Sequence, residues 1–116
     1  MDESAIRDVL NVERAETLAR IRAMRADLDA IVAASANANT DDEHDPEGST
    51  IAYERAQVAA LLAGAQSNLR ELDCALARLV AGDYSVCERC NSQISAERLA
   101  ALPAGRTCFD CANNPA

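Results

Sequence analysis

The sequence predicts a mainly α protein: a long antiparallel helical hairpin of coiled-coil type, followed by a small C-terminal module built around four cysteines. Three observations carry this prediction. Two long stretches repeat apolar residues at steps of three and four. A short acidic segment rich in turn-forming residues divides them. Four of the five cysteines fall into two C-x2-C pairs near the C-terminus. Aromatic residues make up only 3% of the chain and Trp is absent, which argues against a large globular core.

The first helix is expected over 3–35. Ile6, Leu10, Leu18, Ile21, Met24, Leu28, Ile31 and Val32 recur on one helical face. Glu3 with Arg7 and Glu16 with Arg20 stand four apart, placed to pair on the outer face. Asp2 or Ser4 can cap the start. Residues 36–48, ANANTDDEHDPEG, break the pattern with Asn, Asp, Pro and Gly, and read as the turn of the hairpin. Five acids and no Arg stand between Asp41 and Glu47.

The second helix is expected over 49–82, with Ser49 or Thr50 as cap and Gly82 as stop. Its stripe is Ile51, Val58, Leu61, Leu62, Ala65, Leu69, Leu72, Leu76, Leu79 and Val80. Each helix has one apolar face and cannot bury it alone, so the two are expected to pack on each other. Cys74, between Leu72 and Leu76, reads as a small half-buried core residue. The chain thus divides into a hairpin, 1–82, and an irregular module, 83–116. In that module a tight knuckle is expected at 87–90, a short helix near 95–101 and a second knuckle at 108–111.

The charge balance narrows the function. The net charge is −8 and the pI about 4.5. Phosphate binding runs on clustered cations, so sequence-independent binding to DNA or RNA is disfavoured. A protein partner with a basic surface or channel fits better. Every basic residue is Arg; together with abundant Ala, this points to a GC-rich, bacterial coding source. The acidic N-terminus lacks an apolar signal region, and no stretch approaches a membrane span, so a cytoplasmic location is expected. In that compartment paired cysteines read as metal ligands before disulfides.

Cys87, Cys90, Cys108 and Cys111 follow C-x2-C-x17-C-x2-C. Each C-x2-C turn lets two thiolates converge on one ion, and four thiolates in a tetrahedron suit one Zn²⁺. With all four positions filled by protein, the site is structural and leaves no place for an activated water. The module holds few apolar residues (Val86, Ile94, Leu99, Leu102, Phe109), so metal binding must supply much of its folding free energy. No nucleophile–base pair or open metal position suggests an enzyme.

Cys87-Glu88-Arg89-Cys90, Ile94, Arg98, Pro103, Cys108 and Cys111 satisfy the pattern C-[DES]-x-C-x3-I-x3-R-x4-P-x4-C-x2-C. In this, and in the acid-tipped hairpin ahead of it, the chain resembles the DksA/TraR family of C4 zinc-finger proteins. The resemblance implies a transcription regulator that binds bacterial RNA polymerase directly, without binding DNA. In that family the hairpin enters the secondary channel and its tip carboxylates approach the catalytic centre. It also brings in the nucleotide ppGpp as a co-regulator, and implies a monomer able to thread a narrow channel.

Residue by residue, Asp42-Glu43-His44-Asp45 supplies the family's D-x-x-D tip, with Glu47 where the pattern has Ala. Asp42 and Asp45 are therefore the candidate effectors at the polymerase. His44 reads as a solvent-facing turn residue. Arg89 and Arg106 are candidates for polymerase or ppGpp contacts. Arg98 is either such a contact or a tie between finger and hairpin base. Two other classes stay open: a nucleic-acid-binding zinc module, and a coiled-coil adaptor or homodimer.

Overall fold

The computed structural model describes residues 2–37 and 46–114. They form four helices: α1 (Glu3–Asn37), α2 (Pro46–Ala81), α3 (Ala96–Ala101) and α4 (Phe109–Asn113). The tip residues Asp42, His44 and Asp45 lie outside the described residues. No described helix is long and apolar enough to cross a membrane.

Local chemistry explains where the long helices begin and end. Asp2 caps α1: its Oδ1 accepts from the Ala5 amide at 2.7 Å. Behind it, Arg7 pairs with Glu3 at 2.9 Å. The second long helix starts at Pro46, earlier than the expected cap at Ser49 or Thr50. A proline suits a first turn because its φ is already helical and its missing N–H would have no partner there. The same helix stops at Gly82, whose φ of +87° is open to glycine without strain. There the Gly82 amide donates to Leu79 O at 3.2 Å and the Asp83 amide to Arg78 O at 2.8 Å, the paired bonds of a Schellman end.

The chain forms two compact units. One joins the residues up to Glu16 with those from Leu69 onward. Its core mixes helix and module: Leu10 from α1, Leu72, Ala75 and Leu79 from α2, then Tyr84, Cys87, Ile94 and Leu99. Arg14 crosses from α1 to Asp73 on α2 at 2.6 Å. The other unit spans Thr17–Asn68. There Ile21, Leu62 and Ala65 are buried. Ser35 shares a groove with Ile51, Ala52 and Arg55, and Ile31 shares one with Glu54 and Val58. Later residues of α1 thus meet earlier residues of α2, and the helices form an antiparallel hairpin.

The buried line is narrower than the expected stripe. In α2 it runs through Leu62, Ala65, Leu72, Ala75 and Leu79, whereas Leu61 and Val80 are exposed. Val32 of α1 is exposed as well. Cys74 is also exposed, not half-buried. A two-helix contact buries a seam with spacing of three and four, and a residue one step off that seam faces water. Among the described residues no strand forms; Val86 and Gln93 make one isolated antiparallel bridge.

Leu10 is fully buried where both long helices and the module meet. Leu10→Ala is expected to lower the unfolding free energy by about 2–5 kcal/mol through lost contacts and a residual cavity. Leu61→Ala, at an exposed site, should stay within about 0.5 kcal/mol. Urea unfolding followed by circular dichroism measures both.

Candidate metal centre

The first knuckle is shaped by backbone hydrogen bonds. The Cys87 amide donates to Ser92 O at 2.8 Å and the Ile94 amide to Ser85 O at 2.7 Å, so the chain doubles back around Cys90. Asn91 takes a left-handed φ of 63°, a conformation Asn tolerates better than most residues, and its amide returns to Cys87 O at 2.9 Å. The second knuckle is a helix start. Cys108 caps α4, and its Sγ accepts from the Cys111 amide at 3.5 Å. One main-chain bond links the knuckles: Glu88 N–H donates to Arg106 O at 3.0 Å.

Between the knuckles, α3 is capped by Ser95, whose hydroxyl accepts from the Arg98 amide at 3.1 Å. It buries Leu99 against the core. Tyr84, a core residue that the pattern of apolar positions did not single out, is buried just before the first knuckle. Its hydroxyl donates to Pro103 O at 2.7 Å, which ties the loop after α3 to the start of the module. Burial pushes its phenol pKa up, partly offset by Arg78.

The four sulfurs of Cys87, Cys90, Cys108 and Cys111 all lie within 4.8 Å of one another. Cys90 and Cys108 are 3.7 Å apart. A zinc ion with four Zn–S bonds of about 2.3 Å sets tetrahedral S···S edges of about 3.8 Å. Sulfurs at this spacing, drawn from two knuckles, therefore fit one tetrahedral ion. Cys87 is fully buried and belongs to the hydrophobic core, whereas Cys90 is exposed. No oxygen or nitrogen ligand enters the set. An all-thiolate site with no open position holds one structural zinc, whose chemistry is to cross-link the two knuckles.

The thiols do not ionise alike. The Cys108 amide, with those of Cys90 and Arg89, points at the Cys87 sulfur and brings its pKa down to about 6 against the opposing effect of burial. Ser92 lowers Cys90 through its hydroxyl and its amide. Cys111 is pushed up to about 12, first by hydrogen bonding to the Cys108 sulfur and then to that of Cys90. At neutral pH one corner is therefore a ready thiolate, while another must lose a proton to bind metal.

The candidate arginines are all engaged within the chain. Arg98 donates through Nε to Thr107 O at 2.9 Å, a tie inside the finger rather than to the hairpin base. Arg89 is exposed, and its Nη1 donates to Cys111 O and Asn114 O, each at 2.9 Å. Arg106 is half-buried and pairs with Glu71 of α2: Nη2 to Oε1 at 2.9 Å and Nε to Oε2 at 2.8 Å. The finger-to-hairpin tie is therefore made by Arg106. Beside it, Arg78 of α2 donates to Gly105 O at 3.1 Å. Neither Glu71 nor Arg78 carried a signal in the sequence.

A cavity of about 380 Å³ lies by the finger, lined mainly by Ile6, Leu79, Tyr84, Ile94 and Leu99. Its carboxylate, Glu3, is paired with Arg7, and its phenol, Tyr84, is bonded to Pro103.

Residues 82–113 match the model of the prokaryotic dksA/traR C4-type zinc finger. The fold resembles the solved structure of transcription factor DksA2 from Pseudomonas aeruginosa, with a TM-score of 0.82 and 24% identity, over 97% of this chain and 81% of that one. A protein of Aquifex aeolicus (strain VF5), described as uncharacterized, is 46% identical over 46 residues. That match covers 40% of this chain and spans about a third, 32%, of the relative's length. The family match thus covers the finger, and the structural likeness shows the fold.

Zinc affinity should fall as pH falls, because protons compete for the thiolates. Cys87, depressed to about 6, offers a thiolate above that pH and loses it below. Cys111, raised to about 12, must give up its proton to zinc throughout the neutral range. The number of protons displaced per zinc should therefore rise as pH drops through about 6. Competition with a chromophoric chelator across pH measures this slope; a pH-independent affinity would contradict the all-thiolate assignment.

Proposed function

We propose that this protein is a DksA-type transcription regulator that binds RNA polymerase directly. The hairpin enters the secondary channel, the tip carboxylates of Asp42 and Asp45 act near the catalytic centre, and the zinc finger is structural. The observation that supports this most is the pairing, in one chain, of a dksA/traR finger with a hairpin whose fold follows DksA2 over nearly its whole length. The acidic balance of −8 favours a partner with basic surfaces over a phosphate backbone. The protein acts as a regulator in this reading, not as a catalyst. Carboxylates at the tip are suited to approach a Mg²⁺ held by the polymerase, since hard cations choose oxygen ligands. ppGpp enters as a co-regulator of the complex, and the working species is a monomer.

Two measurements test this. Purified core polymerase should retain the protein at low salt, and a Gre-type factor, which uses the same channel, should displace it. Absence of both would refute the proposal. Replacing Asp42 and Asp45 together by Asn should leave polymerase retention intact while abolishing the effect on initiation in a purified transcription assay. Unchanged transcription by that variant would show that the tip carboxylates are not the effectors.

A further inference from the structure

Three consecutive residues ahead of the second knuckle are each held by a charged side chain. Gly105 O accepts from Arg78 Nη2 at 3.1 Å. Arg106 pairs through two nitrogens with Glu71. Thr107 O accepts from Arg98 Nε at 2.9 Å. Arg106 also accepts at its carbonyl from the Glu88 amide, inside the first knuckle, and stands two residues before the ligand Cys108. One residue thus touches one knuckle, leads into the other and grips α2. On α2, Glu71 and Arg78 stand two turns apart on one face, beside the core residues Leu72, Ala75 and Leu79.

We propose that Glu71 and Arg106 form a coupling joint between the metal site and the hairpin: zinc binding in the finger stabilises α2 around Glu71, and that grip in turn raises the finger's affinity for zinc. The physical reason is linkage. The paired contact exists only while the 105–107 segment holds its folded course, and that course depends on both knuckles being drawn to one ion. Any interaction made only in the metal-loaded fold adds to the apparent binding free energy, and the coupling is reciprocal. Glu71 is not a ligand and lies 35 positions from Arg106, so its influence on zinc runs through this contact. The charge-assisted Nη2–Oε1 hydrogen bond and the partial burial of the ion pair favour a measurable coupling, since such contacts are stronger than fully exposed pairs.

The test uses the full chain with zinc as the probe. Glu71→Gln keeps the size of the side chain and removes its charge. It should weaken zinc binding about fivefold in a chelator competition at pH 7, as expected for a charge-assisted pair of this exposure. With zinc bound, it should also speed hydrogen exchange at the amides around residues 69–75. Asp73→Asn breaks the neighbouring Arg14 pair, which does not touch the finger, and should leave zinc affinity unchanged. The charge-swapped double variant Glu71→Arg with Arg106→Glu should recover most of the lost affinity. Wild-type zinc affinity in Glu71→Gln would overturn the proposal, as would an equal loss in Asp73→Asn. If the swapped variant fails to fold, the contrast between Glu71→Gln and Asp73→Asn still decides it.

Discussion

Four sulfurs held within 4.8 Å of one another are the constraint on which the C-terminal unit rests. Thiolates at that distance repel, and a divalent cation among them converts the repulsion into a cross-link between two knuckles that no strand or long helix connects. The module has little else to hold it. Its buried side chains are Tyr84, Cys87, Ile94 and Leu99, and one of these is itself a ligand. Cys87 also packs in a core shared with Leu10, Leu72, Ala75 and Leu79, so the metal site and the paired ends of α1 and α2 share one hydrophobic cluster.

Polar ties complete what that small core leaves open. Tyr84 fastens the loop after α3, Arg98 fastens the approach to Cys108, and Arg78 and Glu71 reach across from α2. These contacts are long in sequence and short in space. They give the finger a defined seat on α2 within its unit, which hydrophobic burial of four side chains would specify only loosely.

What was legible in the sequence follows from how local each signal is. The C-x2-C pairs, the short helix capped by Ser95 and the stop at Gly82 are encoded within a few neighbouring residues, and each appears where expected. The stripes announced two helices but not the seam between them, because Leu61 and Val80 match the period as well as Leu62 and Leu79 and differ only in facing water. Pro46 read as a breaker, although the same fixed φ starts a helix. The helix α4 was hidden inside the second knuckle, where Cys108 serves as ligand and cap together. The Glu71–Arg106 pair spans 35 positions between residues that each look like ordinary surface charges, so periodicity offers no handle on it. The metal set was therefore readable in full, and the residues that seat it were not.

The same contacts bear on which surface carries the function. A zinc module that reads nucleic acid presents free cations to phosphates. This finger has three basic residues, Arg89, Arg98 and Arg106, and each directs guanidinium donors to its own chain: to Cys111 O and Asn114 O, to Thr107 O, and to the Glu71 carboxylate. Redirecting them to phosphate would cost contacts that hold the knuckles together or seat them on α2. The cations of this finger therefore serve its own fold, and they make the module a stable base seated on α2.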